Sequence, residues 1–367
     1  MKNSSIYLYL RYNGDMKISQ NPKFREEISR LLEINNININ VADMLNVACS
    51  YTDIINPGEI NESGSINDAI IEQLYAFYQL DQDNEENQAI MEEFFLRSLK
   101  ELNPDNYRDN LYVKTIKETG RYGKYALKNI EYAPYQLFPY DEINIGKDYQ
   151  EYSAIGYFRK PYSYLVLCEG NNIWMSLNPN EIETMKPFIE KGNGHVLVLG
   201  LGMGYVPFML ANKNNVKSVT IIEKDQEIIN LFNKLIYPHF LNKEKIKIIK
   251  DDAINYVSKN QKFDYIFADL WHSPEDGLSL FIKLKRINKN IDCWLETSLI
   301  ALLRRCMFTL IEEIMNGSKE EDYRFARTAT DKVINTYYQK TKNIAINDVD
   351  DLHNLLKDET LMNLLLR

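Results

Sequence analysis

Glycines and polar residues that can bind a nucleoside follow a series of short apolar runs in the second half of the 367-residue chain. The first of these runs ends in the segment Gly200-Leu201-Gly202-Met203-Gly204. Glycines at such a place let the backbone turn sharply and approach a ligand, while the helix that follows offers free N–H groups. The dinucleotide fingerprint G-x-G-x-x-G needs a glycine at position 205, where this chain has Tyr205. NAD is therefore a less suitable ligand for this segment than another nucleoside.

Carboxylates follow the next three apolar runs. Glu223 comes 19 residues after Gly204, which is the distance at which a carboxylate can accept both hydroxyls of a ribose. Asp252, followed by Ala253, ends the third run, where a carboxylate can accept a hydrogen bond from the exocyclic amine of adenine. Asp269 ends the fourth run, over the position of a reactive sulfonium. Glycine, glutamate and two aspartates at successive strand ends together predict a nucleoside site.

The elements that must position these residues alternate regularly between strand and helix patterns. Such alternation with buried strands predicts an α/β fold with a Rossmann-like, doubly wound and mostly parallel sheet. The predicted strands are His195 to Leu199, Val219 to Ile222, Lys245 to Ile249, Asp264 to Ala268 and Ile291 to Leu295. After Leu295 the antiparallel hairpin that usually completes such a sheet is not recognisable, so we expect the C-terminal helices to cover that edge.

Composition and periodicity divide the chain into four predicted segments. Residues 1–145 form an N-terminal, mainly helical domain with a tyrosine-rich linker, and residues 146–178 form a β-hairpin connector. Residues 179–300 form the nucleoside-binding domain, and residues 301–367 form a helical C-terminal extension. The hairpin is predicted from the extended runs Tyr162 to Cys168 and Asn172 to Leu177, which flank the turn Glu169-Gly170-Asn171.

The charge balance and the cysteines exclude several classes of partner and site. The 43 Lys and Arg against 52 Asp and Glu give a net charge of −9, so we expect neither a nucleic-acid nor a membrane partner. No apolar stretch is long enough to span a bilayer, and the N-terminus does not resemble a signal peptide. The four cysteines form no CxxC pair, which predicts free thiols, no metal site and a cytoplasmic location.

At these residues the chain resembles the class I S-adenosylmethionine-dependent methyltransferases, and within them the spermidine synthase-like branch. The resemblance covers about Asn178 to Glu296 and implies that S-adenosylmethionine is the cofactor. It also implies roles for individual residues. The loop with Gly200, Gly202, Met203 and Gly204 would line the methionine portion, Glu223 would bind the ribose, Asp252 with Ala253 would bind the adenine, and Asp269 would match the catalytic aspartate of the aminopropyltransferases.

Three departures from the spermidine synthase pattern favour methyl transfer over aminopropyl transfer. Met203 stands where those enzymes have an aspartate that holds the aminopropyl amine. His272 replaces the second aspartate of their D-S-S-D-P motif, and Thr184 replaces a tyrosine on the preceding helix.

The expected function is therefore an S-adenosylmethionine-dependent methyltransferase acting on a small-molecule or peptide acceptor. The catalytic candidates are Asp269, His272 and Trp271. For an amine acceptor, Asp269 would bind the ammonium and His272 would take a proton from it, while Trp271 would close over the acceptor or stack on it. Two alternatives stay open: an aminopropyltransferase that uses decarboxylated S-adenosylmethionine, and a non-catalytic nucleoside-binding module. The oligomeric state is open, with a homodimer as one option.

Overall fold

The computed structural model describes residues 16–52, 54–60, 65–259, 262–318, 323 and 326–366. Contacts within the chain divide it into two units, one of residues 36–299 and one that joins residues 1–35 to residues 300–367. The four segments expected from the sequence stay a prediction. Residues 1–15, which belong to the predicted N-terminal helical domain, lie outside the described residues.

The N-terminal part is helical, as expected, up to residue 96 of the described chain. Strand β1 (Lys17–Ile18) precedes helix α1, and the short helix α4 continues into a π-helical segment, Met91–Leu96. The helices are α1 (Pro22–Ser50), α2 (Pro57–Ile60), α3 (Ile66–Tyr78), α4 (Glu85–Ile90), α5 (Asp105–Arg108) and α6 (Leu111–Thr115).

Short strands follow and form an antiparallel sheet with the order β10-β9-β4-β3 and smaller pairings. The predicted hairpin is confirmed: β9 and β10 pair antiparallel, and Gly170 at the turn has a left-handed φ of 60°. The strands are β2 (Leu99–Glu101), β3 (Gly120–Tyr122), β4 (Tyr125–Tyr132), β5 (Phe138–Pro139), β6 (Asn144–Ile145), β7 (Glu151–Tyr152), β8 (Ile155–Tyr157), β9 (Tyr162–Glu169) and β10 (Asn172–Ser176).

The Rossmann-like sheet predicted from the βα alternation is present. It has five strands in the order β13-β12-β11-β14-β15, and every pairing is parallel. Its elements are α7 (Pro179–Lys191), β11 (Gly194–Leu199), α8 (Tyr205–Ala211), β12 (Val216–Glu223), α9 (Gln226–Leu231), β13 (Ile246–Lys250), α10 (Ala253–Val257), β14 (Tyr265–Ala268), α11 (Pro274–Ile287) and β15 (Asp292–Cys293). The strand order reverses between β11 and β14, and ligands of open α/β sheets bind at this switch point.

The central strands form because their residues are buried on both faces. Val196 to Leu199 of β11 are at most 1% exposed, and Phe267 and Ala268 of β14 are fully buried. A continuous apolar run of this kind is typical of a parallel strand covered by helices on both sides. The ends of β11 and β14 are thereby fixed, and the segments that follow them meet at the switch point.

The chain enters helix α12 (Glu296–Met315) directly after β15. In the described residues no further strand pairs with β15, as the missing hairpin signal predicted, and the covering of that edge by C-terminal helices stays a prediction. The remaining elements are α13 (Ala329–Thr341), β16 (Ala345–Ile346), α14 (Val349–Leu356) and α15 (Asp358–Leu366). None of the helices in the described ranges is long and apolar enough to cross a bilayer.

A lysine fixes the C-terminal end of α7, the helix that leads into the sheet. The ammonium of Lys213 donates to the carbonyls of Ile189, Glu190 and Gly192 at 2.5, 2.7 and 2.7 Å. The last carbonyls of a helix have no partner within the helix, and a cation there also interacts favourably with the helix dipole. All three N–H groups of this ammonium are thus used to anchor α7.

We expect the substitution Lys213→Met to lower the free energy of unfolding by about 1–3 kcal/mol, because three carbonyls lose a charged donor. Urea unfolding followed by circular dichroism measures this change. The matched control is Lys217→Met on β12, an exposed lysine whose replacement should change stability by no more than about 0.5 kcal/mol. Equal effects of the two substitutions would show that Lys213 does not anchor α7.

Candidate functional site

The loop after β11 is the first component of the site. Gly200, Gly202 and Gly204 have φ values of 100°, 51° and 74°, and Tyr205 then begins α8. The amide of Asp269 donates to the carbonyl of Leu199 at 2.9 Å, so the segments after β11 and β14 run side by side. A Cβ at position 200 would overlap the carbonyl oxygen of Asp269, which explains the need for glycine there. The predicted glycine-rich loop and Asp269 therefore meet at the switch point.

The hairpin β9–β10 packs against this loop. A Cβ at position 202 would lie 2.5 Å from the sulfur of Met175 on β10, so this methionine lies directly against Gly202. Next to it on the strand, the Trp174 ring contacts the His272 ring edge-on, with centroids 4.6 Å apart. Sequence reasoning found the hairpin but missed this contact, because nothing in the local pattern tells which face of β10 meets the sheet.

Helix α6 and its cap residue contact the loop and the start of α8. The hydroxyl of Tyr112, which is fully buried, donates to the carbonyl of Met203. Asn110 donates through its amide to the hydroxyl of Tyr205 at 2.9 Å. The side chain of Met203 is itself buried, at 5% exposure. Residues of α6 and its cap thus fix both the loop and the first residue of α8.

Glu223 at the end of β12 accepts two backbone hydrogen bonds. Its oxygens accept from the amide of Leu201 at 3.2 Å and from the amide of Asp225 at 2.8 Å. The first bond ties Glu223 to the glycine-rich loop, 22 residues earlier in the chain. Each carboxylate oxygen has a second lone pair, so the group can still accept two hydroxyls.

Asp252 has a structural role at the end of β13. Its carboxylate caps α10 by accepting from the amide of Asn255 at 2.9 Å, and Ala253 is the buried first residue of that helix. The neighbouring Asp251 forms an ion pair with Lys259 at 2.6 Å. This hydrogen bond lowers the pKa of Asp251 and keeps it charged. The binding of adenine by Asp252 and Ala253 stays a prediction.

Asp269 faces a carboxyl that the sequence did not single out. Burial raises the pKa of Asp269 to about 7. Burial, and after it the charge of Asp269, raise the pKa of Glu181 well above its ordinary value. Both side chains are partly accessible to water, which identifies their surroundings as a cleft rather than a sealed core. Two carboxyls that share a low-dielectric site cannot both ionise freely, and such pairs are common where protons are transferred.

Glu181 reaches this position because α7 begins beside the end of the sheet. Asn178 caps the helix by accepting from the amide of Glu181 at 3.0 Å. The signal that could have found Glu181 was its place in the first turn, three residues after an Asn-Pro helix start. Its electrostatic interaction with Asp269 joins residues that are far apart in the sequence and is not visible there.

The structure corrects the role expected of Trp271. This side chain is 4% exposed, and its indole N–H donates to the carbonyl of Trp294 at 3.2 Å. It also packs against Gly277 so closely that a Cβ there would overlap the indole. Because the ring is enclosed by its own protein, it cannot stack on an acceptor.

His272 is exposed and hydrogen-bonded to the helix that follows it. Its Nδ1 lies 3.1 Å from a carboxylate oxygen of Asp276, and its backbone amide donates to the same side chain. Asp276 in turn forms a capping box with Ser273 at the start of α11. His272 lies at the rim of the site against Trp174, and its part in proton transfer stays a prediction.

Comparisons with known proteins agree with this architecture. Residues 180–355 match the model of the spermine/spermidine synthase domain. The chain is 30% identical over 107 residues to a polyamine aminopropyltransferase of Escherichia coli O1:K1, and equally to one of Shigella sonnei (strain Ss046). These matches cover 28% of this chain, and the chain spans 37% of the length of these relatives.

Two solved structures are similar to this chain, with a lower sequence identity than these relatives. Spermidine synthase from Thermotoga maritima has 13% identity and a TM-score of 0.29, over 38% of this chain and 54% of the other. A spermidine synthase in complex with the transition-state analogue AdoDATO has the same identity and TM-score, over 48% and 54% of the two chains. Residues 180–355 are therefore similar to the spermine/spermidine synthase domain.

The comparisons correct the function expected from the sequence. Methyl transfer from S-adenosylmethionine was favoured because Met203, Thr184 and His272 depart from the spermidine synthase motifs. The family model that matches is nevertheless the spermine/spermidine synthase domain, and the curated relatives are aminopropyltransferases. The methyltransferase prediction is therefore wrong.

Packing of the hairpin on the loop gives a prediction about Gly202. We expect Gly202→Ala to destabilise the protein for two reasons. Alanine is strained at the left-handed φ of this position, and its Cβ would displace the side chain of Met175. Gly170→Ala is the matched control, because Gly170 has a similar φ of 60° and nothing within 4 Å of an added Cβ. In the control, backbone strain alone should lower the free energy of unfolding by about 1–2 kcal/mol. Gly202→Ala should lower it by about 1–3 kcal/mol more.

A double-mutant cycle with Met175→Ala separates the two causes. Once the thioether is removed, Gly202→Ala should lower the free energy of unfolding no more than Gly170→Ala does. The coupling energy between Gly202→Ala and Met175→Ala, measured by urea unfolding, should be about 0.5–3 kcal/mol. If Met175→Ala leaves the cost of Gly202→Ala unchanged, the hairpin does not pack on the loop.

Proposed function

We propose that this domain transfers an aminopropyl group from decarboxylated S-adenosylmethionine to an amine acceptor. The observation that carries the proposal is the partly buried carboxyl of Asp269 at the switch point, beside the glycine-rich loop. A partly buried carboxylate with a pKa near 7 can accept a proton from an ammonium and thereby produce the neutral amine that attacks the donor. The match to the spermine/spermidine synthase domain supports the same chemistry.

The nucleoside part of the donor fits the three strand ends around the switch point. Gly200 and Gly202 allow the left-handed turn that carries the loop past the strand ends, and Glu223 keeps lone pairs for the two ribose hydroxyls. Asp252 and Ala253 at the end of β13 would face the adenine. These assignments belong to the proposal and follow the position of each residue in the sheet.

The charge of the cleft favours the decarboxylated donor. S-adenosylmethionine carries a carboxylate, whereas its decarboxylated form ends in an ammonium alone. The carboxyls of Asp269 and Glu181 repel an additional carboxylate and attract an ammonium or a sulfonium, most strongly where water is largely excluded.

The transfer itself is a displacement at carbon. Asp269 takes a proton from the acceptor ammonium, and the nitrogen lone pair then attacks the aminopropyl carbon bonded to sulfur. A C–N bond forms as the C–S bond breaks, and its electron pair goes to sulfur, which leaves as the thioether methylthioadenosine. The new secondary amine carries the positive charge that the sulfonium lost. Alignment of the two reactants in the cleft supplies much of the rate.

We expect Asp269→Asn to lower kcat by about 10²- to 10⁴-fold, because the near-isosteric amide cannot accept the proton. The assay measures methylthioadenosine released from decarboxylated S-adenosylmethionine and 1,4-diaminobutane by liquid chromatography. In the unmodified protein the rate should fall as the pH drops below about 7, where Asp269 becomes protonated.

The matched control is Asp264→Asn, which removes an exposed carboxylate next to the opposite end of β14. It should keep the original rate. Turnover of S-adenosylmethionine to S-adenosylhomocysteine, or an unchanged rate in Asp269→Asn, would contradict the proposed function. Nucleoside binding without any turnover would identify a binding module instead.

A further inference from the structure

Glu181 lies in the same cleft as Asp269, although the two residues belong to different elements. Helix α7 packs along the sheet: the Phe188 ring contacts the Phe267 ring of β14, with centroids 4.5 Å apart. One turn earlier, the hydroxyl of Thr184 accepts from the indole N–H of Trp294, just after β15, at 2.9 Å. The first turn of α7 therefore lies at the carboxyl ends of β14 and β15.

Neither carboxyl has a partner for its charge. Among the residues that the structure describes, no side-chain hydrogen bond or ion pair to Glu181 or Asp269 is formed. The titratable groups that face Glu181 are Asp269 beyond β14 and Tyr205 at the start of α8. The Tyr205 hydroxyl already accepts from Asn110, and burial raises its pKa to about 12, so it stays neutral. Because partial burial makes an unpaired charge unfavourable, the two carboxyls together form a site that suits a cation.

The neighbouring glutamate on α7 differs in this respect. Glu183 forms an ion pair with Lys186 at 2.6 Å and a hydrogen bond with Tyr107. Its carboxylate is thus supplied with partners from the protein itself. The lack of a charged partner is therefore not shared by the next glutamate of α7.

We propose that Glu181 is a binding residue for the acceptor, and that Glu181 and Asp269 hold one primary ammonium between them. This inference rests on the proposed function and specifies the acceptor site as a cation site. An ammonium has three N–H donors, enough to bond both carboxylates at once. In the empty cleft the pair keeps a proton, and this proton is released to solvent when the cation binds, because both carboxylates are then stabilised in their charged form.

The test is calorimetric titration of the full chain with 1,4-diaminobutane at pH 7 in two buffers without a primary amine, phosphate and HEPES. Their different heats of ionisation reveal how many protons are released per amine bound. The unmodified protein should release about one proton, because the empty pair shares one.

The variant Glu181→Gln should bind the amine about 10- to 100-fold more weakly, since one charged hydrogen bond is lost. It should also release fewer protons, because only Asp269 then has a carboxyl proton to lose when the amine binds. Glu183→Gln is the matched control on the same helix turn and should behave as the unmodified protein. Glu181→Asp keeps the carboxyl and should restore a large part of the proton release, which a purely structural role would not predict.

The outcomes separate this inference from the proposed function. Equal affinity and proton release in Glu181→Gln and the unmodified protein would overturn the inference, even if aminopropyl transfer occurs. Absence of amine binding to the unmodified protein would also overturn it. Amine binding with proton release that depends on Glu181, but without methylthioadenosine formation from decarboxylated S-adenosylmethionine, would support the cation site and reject the aminopropyltransferase.

Discussion

Two carboxyl groups that face each other without a cation are the constraint on which the site depends. Asp269 at the end of β14 and Glu181 in the first turn of α7 share a cleft where burial penalises charge. Such a pair is stable only if it keeps a proton or gains a positive partner. The cleft is therefore electrostatically incomplete without a ligand, and this property is the basis of the cation binding that we propose.

The rest of the unit keeps this pair in place. Phe188 and Thr184 fix α7 against the sheet, and Lys213 anchors the opposite end of the same helix. Tyr112 and Met175 both contact the glycine-rich loop. Because packed interiors transmit small displacements, a shift of α7 along the sheet would change the distance between the two carboxyls. The precision of the site thus depends on contacts made by residues that never touch a ligand.

Local patterns in the sequence predicted the sheet well and its surroundings less well. The apolar runs and the glycine-rich turn are properties of neighbouring residues, so the parallel strands and the loop Gly200 to Gly204 could be located directly. The role predicted for Trp271 was wrong because a residue that follows a strand can point either into the cleft or into the interior. Here the indole points into the interior and donates to the carbonyl of Trp294. Glu181 was overlooked because its partner lies 88 positions away, and only the fold brings the two together.

The departures at motif positions illustrate why a site must be considered as a charge distribution. Met203, Thr184 and His272 each differ from the residue that a spermidine synthase carries, and taken singly each argues against amine chemistry. An ammonium, however, responds to the total carboxylate charge within a few ångströms and not to the motif that supplies it. Thr184 is occupied by the Trp294 indole, and Met203 contributes its carbonyl to Tyr112. Both residues serve the framework, while Glu181 brings a second carboxyl to the cleft from the same helix that lost the tyrosine. The residues Met203, Thr184 and His272 are therefore compatible with the proposed cation site, because Glu181 supplies the second carboxyl from a different position in the same cleft.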